Sequence, residues 1–83
     1  MAKEFETKKY AIFKTTSSGK KEYVYEINRS SIYTIEDIHQ AMFIDDVDAA
    51  LCISKYLTRR TSGNPVYGVI AMVTTCEIIE EEE

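Results

Sequence analysis

The side chains that could do chemistry are few. There is one histidine, His39, flanked by Asp37 and Gln40, and two cysteines, Cys52 and Cys76. No Ser or Cys stands in a nucleophile-elbow motif or beside a base that could activate it, so no catalytic residue is assigned and a non-enzymatic role is expected. A zinc site wants four Cys or His ligands in close-spaced pairs, and the chain holds three such residues in all. The cysteines fall among apolar neighbours, one in a predicted helix and one in a predicted strand. Both are read as small buried hydrophobes rather than ligands or a disulfide. The three glycines are far apart and form no phosphate-cradling loop. Neither metal nor cofactor is expected.

Two charged groups remain. Asp45, Asp46 and Asp48 could bind a divalent ion, but their place at a predicted helix N-terminus suits capping and the helix dipole. They could also offer a negative patch to a basic groove on a protein partner, in imitation of phosphates. Against them stands a basic segment in which Lys8, Lys9, Lys14, Lys20 and Lys21 interleave with Tyr10, Tyr23 and Tyr25. A basic sheet with exposed aromatics stacks bases and neutralises phosphates, which makes Lys9, Tyr10, Lys20, Lys21, Tyr23 and Tyr25 the candidates for nucleic-acid binding. Tyrosines at alternate strand positions are more often the core face of a sheet, so exposure of Tyr10 and Tyr25 discriminates. The net charge of −4 is unevenly spread, with +3 over residues 1–33 and −7 over residues 34–83.

The elements that must carry these groups can be read from periodicity. Lys8 to Thr15 and Lys21 to Asn28 alternate as strands, and the Thr16-Ser17-Ser18-Gly19 turn joins them into a hairpin. In the second strand Tyr23, Tyr25 and Ile27 share one face and Glu22, Val24 and Glu26 the other. Asn28 to Ser31 is a turn, and Ile32 to Ile35 reads as a short strand. Thr34 and Asp37 have capping-box spacing, with Ile35, Ile38 and Met42 on one helical face, so residues 32–43 are open to strand or helix.

A helix is expected over about Asp46 to Arg60, with an Asp cap, Lys55, Arg59 and Arg60 toward its end, and Gly63 and Pro65 beyond it. Val47, Ala50, Leu51, Ser54 and Leu57 form its apolar face, widened by Ile53 and Tyr56. Val66 to Ile79 is the longest apolar run, apolar on both alternating sets, as in a strand shielded on both faces. A bend is expected at Gly68 or at Thr74 and Thr75. Residues 80–83 are an acidic tail expected to fray.

The 83 residues suit one domain, and 45% apolar with 29% charged composition suits a folded chain. No run approaches the roughly 18 apolar residues that span a bilayer, nor is there a secretory leader, and a cytoplasmic protein without membrane contact is expected. The predicted fold is α+β: a small antiparallel sheet of three or four strands with one main helix packed on one face. Only one face of the last strand then has a cover, which nominates Val69, Ala71 and Val73 for self-association as a homodimer.

The Lys- and Tyr-rich hairpin, the Ala41 and Phe43 segment ahead of the Asp-capped helix (Asp45 to Ala50) and the β-rich end closing on glutamates together resemble small uncharacterised accessory proteins carried by phages and prophages of Gram-positive bacteria. That resemblance rests on layout and composition. It implies an accessory factor, in some cases an inhibitor, that binds a host or phage protein. A protein-interaction domain is the leading expectation and a nucleic-acid-binding module the alternative.

Overall fold

The computed structural model describes residues 2–79, so the acidic tail lies outside the described residues. Its elements are β1 (Ala2–Thr15), β2 (Lys21–Ile27), β3 (Ile32–Ile35), a 3-10 turn (Ile38–Gln40), α1 (Val47–Arg60) and β4 (Tyr67–Ile79). The strands form one antiparallel sheet in the order β3-β2-β1-β4, with α1 packed against β1 and β4. This is the α+β layout that the sequence predicts.

Each junction follows from local chemistry. Gly19 takes a positive φ of 88° in the β1–β2 turn, where its N–H donates to the Thr16 carbonyl at 2.9 Å. In the β2–β3 turn the Asn28 carboxamide oxygen accepts from the N–H groups of Ser30 and Ser31 at 3.0 and 2.8 Å. Asp46 caps α1 by accepting from the Asp48 N–H at 3.1 Å, and Arg59 and Arg60 occupy the last turn. After it, Gly63 at φ 81° returns its N–H to the Thr58 carbonyl at 2.8 Å.

The core lies between α1 and one face of the sheet. Ile12, Val24, Leu57 and Tyr67 form its centre, and Ile27, Ile32, Met42, Ile44 and Ile53 pack around them. A bulge between Val24 and Glu26 lets Val24 and Ile27, an odd number of residues apart, both reach this core. Where β2 turns away from β1, the segment Met42–Ile44 fills the gap. Met42 donates to the Val24 carbonyl at 3.0 Å, and Tyr10 and Ile44 exchange bonds of 2.9 and 2.8 Å.

Several expectations are corrected. The first strand begins at Ala2 rather than Lys8, because β4 supplies a partner along its whole length. The Thr34 hydroxyl donates to Glu22 at 2.9 Å instead of capping a helix. Asp37 caps the 3-10 turn, and residues 32–35 are strand. On β2 the core position is Val24, and Tyr25 is 43% exposed. Cys52 is exposed, because it points away from the Ala50, Ser54 and Leu57 face. Val47, Leu51 and Tyr56 are also exposed. The β1–β4 register is unbroken from Ala2 opposite Ile79 to Lys14 opposite Tyr67, so no bulge bends β4. The far half of β4 is open on both faces rather than shielded.

β2 pairs only with Phe13 to Thr15 of β1. Beyond Tyr10, β1 and β4 therefore continue as a two-stranded ribbon, and the molecule measures 60 × 26 × 18 Å. Its radius of gyration is 16.3 Å, against about 12 Å for a compact chain of this length.

Candidate interaction site

Alternation along the sheet sorts its side chains onto two faces. Ile12 and Tyr67 lie in the core, so even-numbered residues of β1 and odd-numbered residues of β4 face the helix, and the others face away from it. On the open face stand Phe5, Ala11 and Phe13 of β1, Ile70, Met72, Cys76 and Ile78 of β4, and Tyr23 of β2. The Phe13 ring lies directly over Gly68, where an added Cβ would meet it at 3.0 Å. The Tyr25 and Tyr33 rings meet across the β2–β3 bulge with centroids 6.0 Å apart and planes tilted by 39°.

Charge is sorted in the same way. The charged residues of β1 and β4 on the open face are lysines, Lys3 and Lys9, and Lys21 joins them from β2. Glu4, Glu6, Glu22 and Glu77 fall on the helix face together with Lys8 and Lys14, where Lys14 meets Glu22 at 3.7 Å, whereas Glu26 of β2 is on the open face. Lys9 and Lys21 lay their ammonium groups 6.0 and 5.8 Å from the Phe43 and Phe13 rings.

The nucleic-acid candidates are thus divided. Lys9, Lys21, Tyr23 and Tyr25 share the open face, Tyr10 is half-buried on the helix face, and Lys20 sits in the β1–β2 turn. Of the acidic trio, Asp46 and Asp48 are tied together by the helix cap and all three are exposed. Among the described residues no group of three His, Cys, Asp or Glu could hold a metal ion. His39 is exposed in the 3-10 turn, and its N–H donates to Asp37 at 2.9 Å.

Val69, Ala71 and Val73 lie on the helix face of β4, at and beyond the reach of α1, and Val73 is 52% exposed. β4 is the outermost strand, and its free edge is thirteen residues long. Exposed edges are ordinarily blunted by Lys, Pro, a bulge or brevity. Tyr67 to Ile79 has none of these and carries one charge, Glu77.

Beside the start of β4 is a cleft of about 510 Å³ between it and the last turns of α1. Lys55, Thr58 and Arg59 line it from the helix, and Val66 just ahead of β4 and Tyr67 at its start line the other side. The Thr58 hydroxyl holds the two together, accepting from the Tyr67 N–H at 2.8 Å. Burial pushes the Tyr67 phenol above its ordinary pKa of 10.0, and Arg60 partly opposes this. Sequence reasoning missed the cleft, whose walls come from residues up to twelve positions apart. The stop signals after α1 marked only where the chain turns back.

No helix among the described residues is long and apolar enough to cross a membrane. Comparisons with protein families, with curated proteins and with solved structures find no match.

Proposed function

We propose that the protein is a non-enzymatic protein-interaction domain that works as a homodimer, an accessory factor of the kind phages carry. The observation that supports this reading is the free edge of β4. Each residue of an edge strand that points its N–H and C=O outward offers two unsatisfied groups, and a second strand satisfies them all at once. The rest of the molecule fits the same reading. A two-stranded ribbon is marginal in water by itself, and Phe5, Val73, Ile78 and Ile79 are all exposed along it.

The lysines on the open face favour a second reading, a single-stranded nucleic acid laid across Tyr23, Tyr25 and Phe13 with Lys9 and Lys21 at its phosphates, although Glu26 lies on the same face. The surplus of acidic residues opposes it at long range. One experiment separates the two. Light scattering across a concentration series, with and without a short single-stranded oligonucleotide, is expected to give twice the 9.5 kDa chain mass and no change on adding the oligonucleotide. A monomer that gains mass with the oligonucleotide would replace the first reading by the second.

A further inference from the structure

We infer that the second copy adds to the outer edge of β4 in antiparallel register about a twofold axis at Val73, and that the C-terminal end of each β4 fills the cleft beside its partner's α1. This rests on the homodimer reading and specifies its interface.

Antiparallel pairing of a strand with its own copy requires a twofold axis, and the position of that axis fixes every pair. The register that leaves no part of Tyr67–Ile79 unpaired sets Val73 against the partner's Val73. Ala71 then meets the partner's Thr75 and Val69 the partner's Glu77, while Tyr67, whose N–H stays on the Thr58 hydroxyl, lies beside the partner's Ile79 without that bond. On the open face Met72 meets the partner's Thr74, Ile70 the partner's Cys76, and Gly68 the partner's Ile78. No like charges are opposed. The result is one eight-stranded sheet in which both ribbons become interior and roughly a dozen backbone hydrogen bonds form.

The same register brings a matching surface to the cleft. Thr58 bonds to Tyr67, whereas Arg60 on the opposite flank of α1 reaches the Arg29 carbonyl at 2.8 Å in the β2–β3 turn. The Thr58 flank therefore overhangs the free edge of β4, and helical spacing puts Val47, Leu51 and Lys55 on it. Val47 and Leu51 are 40% and 41% exposed there, above the line that the partner strand would follow. The partner's Ile79, 78% exposed in the single chain, arrives at Val66 and Tyr67 in the cleft. The partner's Glu77 arrives beneath Lys55. A basic, half-apolar cleft thus receives an apolar, acidic strand end.

The area agrees. The chain exposes 6194 Å², against roughly 5,000 Å² for a compact monomer of its mass. The excess is of the order that a standard interface takes from each partner, about 800 Å².

The test uses the full chain in a Cys52→Ser, Cys76→Ser background. Val73→Cys is expected to cross-link to dimer on mild oxidation, because directly opposed positions fall within disulfide reach, whereas Val66→Cys stays monomeric on a denaturing gel. Val73→Lys opposes two like charges and is expected to leave a monomer with unchanged far-ultraviolet dichroism. Lys55→Glu is expected to raise the dissociation constant about tenfold, and adding Glu77→Lys to recover it. A wild-type monomer at every concentration would overturn the homodimer itself. A wild-type dimer in which Val73→Cys does not cross-link and Val73→Lys stays dimeric would overturn this interface alone.

Discussion

Tyr67 ties the fold to the candidate site, since its ring belongs to the core, its N–H is held by Thr58 and its flank lines the cleft. Its phenol is raised above 10.0 chiefly by burial. The unfolded chain therefore releases that proton first, and between the two pKa values the folded state binds more protons. The stability this group contributes is complete below about pH 10 and is lost as pH rises toward the folded value. Urea titrations at rising alkaline pH should show a steeper loss for wild type than for Tyr67→Phe. Parallel curves would mean that the phenol is not buried in solution. At this scale an Asp cap at Asp45 or Asp46 was legible, because a cap needs only its own stretch of backbone, and the structure places it at Asp46. Cys52 was not, because its exposure depends on which way the whole helix is rolled.

The helix shows how an apolar face divides when it meets a narrow sheet. Ala50, Ser54 and Leu57 are buried, and the Ser54 hydroxyl satisfies itself on the Leu51 carbonyl at 2.9 Å. Val47 and Leu51 belong to the same sequence stripe but overhang the edge of β4. Leu57→Ala should therefore cost about 2–5 kcal/mol of folding stability through the cavity it leaves. Leu51→Ala in dilute, monomeric protein should cost less than about 1 kcal/mol. Denaturant unfolding of the two variants measures both, and equal losses would place Leu51 in the core. The β2 bulge works against pattern reading in a similar way. Strict alternation gave the core to Tyr23, Tyr25 and Ile27, whereas the inserted residue lets Val24 and Ile27 take it.

For the whole molecule, the buried apolar residues among the described ones are Ala11, Ile12, Val24, Ala50, Leu57 and Tyr67. Three are of substantial aliphatic or aromatic size beyond Val, and a core of that extent supplies little surplus stability in a chain this short. Association that buries the ribbon would add to it, so the melting temperature should rise with protein concentration. Calorimetry over a hundredfold dilution measures this. A melting temperature that does not move would show that folding gains nothing from a second copy.

The order of elements, the helix and its Asp cap and the β1–β2 turn were all set by signals spanning a few residues. Periodicity, Asp and Asn side chains and Gly19 act over that distance, so the sequence alone determined them. The strand at residues 32–35, the length of β1, the roll of α1, the absence of carboxylates from the open face of β1 and β4 and the cleft beside Tyr67 were decided only in three dimensions. Each depends on which strand lies beside which, and the pairing of Ala2 with Ile79 joins residues at opposite ends of the chain. No local pattern records a contact of that range, because its energy comes from the partner strand rather than from the neighbours in sequence.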